Sequence, residues 1–419
     1  MALFARPNRV VVTGLGVLAA NGTGPAAFWK SLLAAESGIG PITLFDASSF
    51  PIHIAGEVKD FDLSHFVNGA FKAKRLGRHT QLAIAAFQQA LQDAMLDRQA
   101  LLSHVPMPIF VGVSTSAMEV IEHGKEQLTA GGPTKVSPHY LSACQPQAIA
   151  SSLSAFLGVE SQVQTFSTAC TAGMNAVSAA VQLIRAGKSE LAVAGGADAP
   201  ITPLAVASFG TSGMVPLWAD APHKASRPFD RDRKGGILAE GAAFVVLENL
   251  EHALARGAKT YLEVTGGGTS VDTDRTEPGS GLSVSMSHAL ANAGRSPWDV
   301  DSVCAHGPSD LVMDRVETAA IKQVLGEHAY QVPVHSIKGV TGNPLAAAGP
   351  MQLVTCALSL HECLVPPTAN YEHSDPDCDL DYVPQRPRAA EVHVAMINVH
   401  GLGGVNSSLV VERVNGRAG

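Results

Sequence analysis

The sequence is short of cysteine, of positive charge and of long apolar runs, and each shortage excludes a class of protein. Its six cysteines are scattered through 419 residues and form no Cys-x-x-Cys pair, which argues against a disulfide framework or a zinc module. A total of 29 Lys and Arg against 37 Asp and Glu gives a formal net charge of −8, which argues against a general nucleic-acid binder. An acidic partner would therefore need a local basic patch.

No apolar run reaches the roughly 18 residues of a membrane span, so no membrane association is expected. The segment Met1–Arg9 also lacks the apolar core of a secretory signal peptide. Together with the sparse thiols, these features predict a cytoplasmic protein with reduced cysteines.

Strands and helices alternate along the chain, which predicts an α/β fold with a mostly parallel, buried sheet. β-rich runs occur at Arg9–Val17, Ile109–Val113, Glu190–Asp198 and Gly241–Glu248. Residues Gly266–Gly281 are rich in Gly, Thr, Asp and Ser and are expected to form a loop. Both parts of the chain end in a turn and a β run, which favours a duplicated unit with halves at residues 1–258 and 259–419.

A lone cysteine, Cys170, follows an apolar approach and a Ser-Thr-Ala run and precedes an Ala-rich helical segment. This pattern predicts strand, turn and helix, with the thiol at the helix start, where unpaired N–H groups favour an anion. We therefore expect the thiol to ionise easily and to act as a nucleophile. Small neighbours such as Gly173 are expected to let a substrate reach the sulfur. The alternative is a buried structural cysteine.

Three later stretches carry polar residues beside glycines. His306 ends a predicted strand, Lys338 and Asn343 precede a small-residue helix, and Asn398–Asn406 is a glycine-rich turn whose N–H groups suit an oxyanion. Each has an ordinary alternative as a loop histidine, a surface charge or a simple turn. A basic cluster at Lys72–Arg78 is either a solvated helix start or a docking patch.

Together with Cys170, these stretches resemble the β-ketoacyl-acyl-carrier-protein synthases, in particular the elongating type and the type II polyketide ketosynthases. The resemblance is collinear over nearly the whole chain. It implies a thiolase fold, in which two duplicated α/β halves pack as five α-β-α-β-α layers and chains dimerise edge to edge. The partner is a homodimer copy or a second ketosynthase-like chain.

The resemblance also assigns roles by position. Cys170 matches the acyl-accepting nucleophile, His306 the first catalytic histidine, Lys338 the family's lysine, and Glu317 the glutamate that partners this lysine. The remaining matches are an oxyanion hole (backbone N–H of Cys170 and Leu402), a gating turn (His400, Gly401, Leu402, Gly403), a pantetheine channel (Pro308, Ser309, Asp310) and an acyl carrier protein docking patch (Lys72, Lys74, Arg75). No metal or cofactor is implied beyond the phosphopantetheine arm of a carrier-protein or coenzyme A substrate.

Two departures from the family pattern concern the second half-reaction. Asn343 stands where the family has its second histidine; an amide donates a hydrogen bond but cannot take up a proton near neutral pH. Pro308 stands where the family has a threonine hydroxyl for the pantetheine arm. This pattern suggests that acylation is retained and that the malonyl half-reaction is changed or lost.

Three functions stay open at this point. The first is an acyltransferase that passes the Cys170 acyl group to a thiol, hydroxyl, amine or carbon acceptor without obligatory decarboxylation, with His306 positioning or deprotonating the acceptor. The second is a decarboxylative ketosynthase that uses a Cys-His-Asn set. The third is a non-catalytic chain-length partner in a heterodimer, which ranks last because Cys170 is present. The acyl chain and the acceptor are left open.

Overall fold

A computed structural model describes residues 8–67, 73–218, 220–274 and 278–414. Its principal strands are β1 (Val10–Ala19), β2 (Met107–Gly112), β3 (Ser161–Phe166), β4 (Leu191–Asp198), β5 (Gly241–Asn249), β6 (Leu262–Val271), β7 (Ser302–Cys304), β8 (Val334–His335), β9 (Val394–Gly401) and β10 (Val405–Glu412). The α-helices are α1 (Pro25–Leu33), α2 (Arg78–Asp93), α3 (Arg98–Leu101), α4 (Met118–Gly131), α5 (Tyr140–Cys144), α6 (Ala148–Leu157), α7 (Ala172–Arg185), α8 (Pro203–Thr211), α9 (Leu250–Ala255), α10 (Leu282–Ala293), α11 (Met313–Leu325), α12 (Lys338–Thr341) and α13 (Ala348–Glu362).

The ten strands form two sets of five with the same order. The first set runs β1-β5-β4-β2-β3, and the second runs β6-β10-β9-β7-β8. The sets meet where β1 pairs with β6 through only two residue pairs, Val11 with Glu263 and Val12 with Leu262. The repeated order supports the proposed duplication, and the proposed division after residue 258 falls in the link between α9 and β6.

The prediction of a mostly parallel sheet is wrong, because each half mixes both directions. Strand β2 is parallel to β3 and β4, whereas β5 is antiparallel to both β4 and β1. Strands β1 and β4, each with an antiparallel neighbour, are buried along their whole length because helices cover both faces. They therefore carry continuous apolar runs, which are more typical of parallel sheets.

Helices separate and cover the two sets of strands. Helices α7 and α13 contact each other between the sets, α2 and α6 cover the far face of the first set, and α10 and α11 cover the far face of the second. Separate clusters of buried apolar side chains fill these interfaces. The layers are therefore α-β-α-β-α. Among the described residues, no helix is both long enough and apolar enough to cross a lipid bilayer.

The predicted loop at Gly266–Gly281 is wrong over its first part, because β6 continues through Val271. The glycines of this segment allow close packing and do not form a turn. A Cβ on Gly266 would lie 2.1 Å from the carbonyl oxygen of Ala289, and one on Gly268 would lie 2.1 Å from that of Ser285. Both carbonyls belong to α10, so the missing side chains let this helix lie directly on the strand.

This packing gives a prediction for folding stability. Gly268→Ala places a methyl group against the α10 backbone and should lower the free energy of unfolding by about 1–3 kcal/mol, as overpacking typically does. Gly267→Ala is the matched control, since its Cβ faces the flexible end of Leu409 at 3.2 Å on the other side of the strand. Urea unfolding of both variants measures the difference. Equal stability of the two would contradict the packing role.

Candidate active site

Cys170 lies in a tight turn between β3 and α7. Ala169, just before it, has a φ of 53°, a left-handed conformation that is strained for a residue with a side chain. The turn is held by Thr171, whose hydroxyl donates to the carbonyl of Thr168 at 2.6 Å, and by Asn175, whose amide donates to the Thr168 hydroxyl at 2.9 Å. The predicted strand, turn and helix are therefore confirmed, with Cys170 two residues before the helix begins.

The Cys170 sulfur is nearly enclosed, and groups from the second half of the chain act on it. The backbone N–H of Leu402 and the side-chain amide of Asn343 lower the pKa of its thiol. Burial raises the pKa of the Cys170 thiol, while the Lys338 charge and these two donor groups lower it by less. The expectation of an easily ionised thiol is wrong in the free protein, because desolvation outweighs the donors.

The small residues after Cys170 serve packing rather than access. A Cβ on Gly173 would lie 2.2 Å from the carbonyl oxygen of Ala346, and Ala172 is fully buried. The expectation that Gly173 opens a path to the sulfur is therefore wrong. Its missing side chain lets the start of α7 touch the segment that leads into α13.

His306 is held as a neutral hydrogen-bond donor. Its Nδ1 lies 3.1 Å from Lys338 Nζ, and the same ammonium group also contacts the His306 carbonyl oxygen. Lysine has only donors, so Nδ1 must accept and the ring hydrogen must lie on Nε2. Burial, then the Lys338 charge and then His400, hold the pKa of His306 well below its usual value. The ring therefore presents Nε2–H to the site.

Glu317 supports the His306 loop from behind. Its two carboxylate oxygens accept the backbone N–H groups of His306 at 2.8 Å and Gly307 at 2.7 Å. Burial raises the pKa of Glu317, and burial lowers the pKa of Lys338 to about 8. Glu317 was expected to partner Lys338. Among the described residues, the direct hydrogen-bond partners of its carboxylate are instead the 306–307 backbone, and Lys338 acts on it through its charge.

Asn343 occupies the site in an ordered position. Its backbone N–H donates to Ile237 at 2.7 Å and its carbonyl accepts from Ala239 at 3.0 Å, so a short bridge fixes it against the first half of the chain. Its side-chain Oδ1 is buried and has no hydrogen-bond partner among the described residues. The amide group lowers the pKa of the Cys170 thiol, and its oxygen is left as an unused acceptor.

The predicted gating turn contains His400, a histidine to which the sequence pattern assigned no chemical role of its own. The ring of His400 lies with its centroid 6.2 Å from that of His306, at 70° between the planes, and its Nδ1 lies 2.8 Å from Asn406 Oδ1. Gly401 touches the nucleophile turn, where a Cβ would lie 3.0 Å from the Thr168 carbonyl oxygen. The Leu402 side chain is 62% exposed. The turn thus supplies a buried imidazole, a donor to the sulfur and an exposed apolar side chain.

Asp198 is a second residue that sequence reasoning missed. It is fully buried at the end of β4 and accepts the N–H groups of Thr115 at 2.8 Å and Ala346 at 2.9 Å. Its charge also raises the pKa of Cys170. The signal that could have identified Asp198 in the sequence is a carboxylate at the end of an otherwise apolar strand. Asp198 joins the loops that surround the nucleophile turn.

The residues assigned to a pantetheine channel face inward. Ser309 is fully buried, and its hydroxyl accepts the backbone N–H of Arg227 at 2.9 Å. The carboxylate of Asp310 accepts N–H groups at the start of α11, from Val312 at 2.8 Å and Met313 at 2.9 Å. Pro308 is buried as well. These contacts correct the expectation that Ser309 and Asp310 offer polar atoms to a pantetheine arm, because both residues use those atoms to hold the local fold.

The structure describes part of the basic cluster. Lys72 lies outside the described residues, as does the side chain of Lys74. Arg78 forms an ion pair with buried Glu240 at 2.6 Å and is not a free surface charge. Arg75 is exposed and lies beside a cleft of about 410 Å³. Of the predicted docking residues, Arg75 is the one whose side chain the structure describes at the surface.

Comparisons with known proteins agree with this geometry. The family models "Beta-ketoacyl synthase, N-terminal domain" and "Beta-ketoacyl synthase, C-terminal domain" match residues 7–253 and 260–372. The chain is 40% identical over 411 residues to 3-oxoacyl-[acyl-carrier-protein] synthase 2 of Synechocystis sp., covering 97% of this chain and 98% of that protein.

Solved structures give the same result for the fold. The ishigamide ketosynthase/chain length factor superposes with a TM-score of 0.91 at 33% identity, covering 98% of this chain and 100% of that one. The type II polyketide synthase complex AntDE:AntF, an acyl-carrier protein bound to its ketosynthase, superposes with a TM-score of 0.88 at 32% identity, covering 97% and 100%. The predicted thiolase fold is thereby confirmed. On both sequence and structure, this chain is a member of the beta-ketoacyl synthase family.

Proposed function

We propose that this chain is a condensing ketosynthase of fatty-acid or polyketide type, with Cys170 as its acyl carrier during turnover. One observation supports this proposal above the others. The Leu402 N–H and the Asn343 amide act on the Cys170 thiol as donors that lower its pKa, at the same site as the neutral His306. A nucleophile among fixed donors is what thioester chemistry requires.

The first half-reaction moves an acyl group onto sulfur. The Cys170 thiolate attacks the carbonyl carbon of an acyl thioester, the N–H groups of Cys170 and Leu402 hold the oxyanion, and the pantetheine sulfur leaves. The proton of the Cys170 thiol ends on the departing thiolate. Because burial raises the thiol pKa, ionisation needs the positive charge of Lys338 close by.

The second half-reaction makes the carbon–carbon bond. In this proposal, His306 Nε2–H and the Asn343 amide donate to the carbonyl oxygen of a malonyl-type thioester, carbon dioxide leaves, and the enolate attacks the Cys170 acyl carbonyl. The enolate needs donors rather than a proton acceptor, and an amide is a donor. Similarity to a 3-oxoacyl synthase over nearly the whole chain also favours condensation over the transfer reaction that the sequence placed first.

Transfer without decarboxylation remains the second candidate. Two observations favour it: Asn343 carries no imidazole, and the imidazole of His400 lies beside His306. The chain-length partner stays last, because Cys170 is present.

Partners follow from the surface and from the relatives. We propose an acyl carrier protein that docks near Arg75 and delivers the substrate on its phosphopantetheine arm, with no other cofactor and in the cytoplasm. Among the described strands, β3 pairs with β2 alone, and it is partly exposed along its length. Such an open edge suits a second chain that continues the sheet. Either a second copy or a ketosynthase-like partner would satisfy it.

The acyl-enzyme can be tested by intact-protein mass spectrometry. After incubation with an acyl-carrier thioester, the wild-type chain should gain one acyl mass, and peptide mapping should place it on Cys170. Cys144→Ser is the control, because this thiol is half-buried on α5 and should not matter. Cys170→Ala should gain nothing. An adduct that persists in the folded Cys170→Ala variant would contradict the proposal.

The role of Asn343 can be tested by following carbon dioxide and β-ketoacyl product from malonyl-carrier thioester and acyl-enzyme. Asn343→Ala removes one donor to the enolate and should lower the condensation rate by roughly 100-fold or more, as loss of one oxyanion donor does. Asn343→His restores a ring N–H and should keep product formation within about tenfold of wild type. If the wild-type acyl-enzyme gives no β-ketoacyl product, the second candidate replaces the first.

A further inference from the structure

We propose a further activity at this site: the acyl group on Cys170 is also passed to a hydroxyl acceptor, with His400 as the general base. This inference rests on the proposed formation of acyl-Cys170, but not on condensation. It concerns a different acceptor, an alcohol, and a residue that condensation does not require.

The hydrogen bonds around His400 define which ring nitrogen is free. Asn406 donates through Nδ2 to the Asp272 carboxylate at 2.7 Å, so its Oδ1 is the atom that faces His400 Nδ1 at 2.8 Å. An amide oxygen only accepts, and Nδ1 must therefore carry the hydrogen. His400 Nε2 is then left with a lone pair, and it has no protein partner among the described residues.

The supporting residues are rigid. Asp272 accepts the backbone N–H groups of Gly279 at 2.5 Å and Gly281 at 2.9 Å, and Asn406 is fully buried opposite His400 in the β9–β10 pairing. Carboxylate, amide and imidazole thus form a chain that ends at Nε2. A base oriented by a third group is the arrangement that activates acceptors in acyl transfer.

His306 cannot perform this step in the observed arrangement. Lys338 occupies its Nδ1, and its Nε2 carries the hydrogen. The sequence-based hypothesis that His306 deprotonates an acceptor is therefore replaced. The ring centroids of the two imidazoles lie 6.2 Å apart. Their roles are complementary, because His306 offers a hydrogen-bond donor and His400 an acceptor. A hydroxyl group, which both donates and accepts, is matched to such a pair.

The position of His400 in the chain and the unpartnered oxygen of Asn343 further support this role for His400. His400 stands two residues before Leu402, whose N–H reaches the Cys170 sulfur. The buried Asn343 Oδ1 near the same sulfur also has no partner among the described residues. Buried polar atoms normally find a partner. A buried acceptor without one indicates a ligand that brings a hydrogen atom, which a malonyl thioester does not do at its carbonyl.

The transfer step balances without any further reagent. The acceptor hydroxyl gives its proton to His400 Nε2 while its oxygen bonds to the acyl carbonyl carbon. Leu402 N–H holds the oxyanion that forms. The carbon–sulfur bond then breaks, the sulfur takes the proton from His400, and the products are an ester and the Cys170 thiol. With water as acceptor, the same step gives a free acid.

The experiment starts from isolated acyl-enzyme and follows its decay by intact mass. Separate samples receive buffer alone, 1-propanol, glycerol or malonyl-carrier thioester, and esters, acid and β-ketoacyl product are quantified. The variants are His400→Phe, which keeps the ring volume, and His400→Gln, which lacks a proton-accepting nitrogen. His393→Phe is the matched control, an exposed histidine just before the same strand.

We expect the wild type and His393→Phe to form ester, and both His400 variants to form it roughly 100-fold more slowly, the usual effect of losing a general base. Acylation and condensation by His393→Phe should stay within about threefold of the wild type, and both His400 variants should lose ester formation by a clearly larger factor than condensation. Ester formation by either folded His400 variant at the wild-type rate would overturn the inference. So would an acyl-enzyme that condenses but gives neither ester nor acid. Failure to form any acyl-enzyme would overturn the proposed function as well.

Discussion

The contact between the start of α7 and the segment before α13 is the constraint on which the site depends. Cys170 belongs to the first half of the chain, whereas Asn343 and Leu402, whose N–H groups lower the pKa of its thiol, belong to the second. They meet because Gly173 has no side chain and its Cα approaches the Ala346 carbonyl. Close packing of this kind leaves little room for adjustment. The nucleophile therefore exists as a site only in the assembled pair of halves.

Burial sets the electrostatics once the halves have met. Lys338, Glu317 and His306 are all buried, and each one limits the charge that the others can carry. Burial and then the Lys338 charge lower the pKa of His306, and desolvation raises the pKa of Cys170 more than the Lys338 charge and the nearby donors lower it. The thiol of the free protein therefore ionises less readily than that of an exposed cysteine. A bound thioester, which excludes water and places a carbonyl in the donor set, is what makes ionisation productive.

The sequence predicted the parts of this site that depend on local pattern. A strand, a turn and a helix around Cys170 follow from residue periodicity, whereas the roles of His306, Lys338 and Asn343 come from the family pattern and stay predictions. The sequence did not predict that β6 continues from Gly266 to Val271, because glycines that admit a helix resemble glycines of a loop. Nor did it predict the raised pKa of Cys170, since burial depends on residues distant in the chain. The same limit applies to Ser309, whose hydroxyl is satisfied by Arg227.

His400 shows why a residue's role follows from its partner. In the sequence it is one residue of a glycine-rich turn, and only the β9–β10 register places Asn406 against its Nδ1. That hydrogen bond decides that Nε2 is an acceptor. The histidine missing at position 343 and the one present at 400 are therefore not interchangeable, because Asn343 replaces a donor with a donor, whereas His400 adds a proton acceptor. A site with both has the groups for a carbon acceptor and, through the extra base, for an oxygen acceptor.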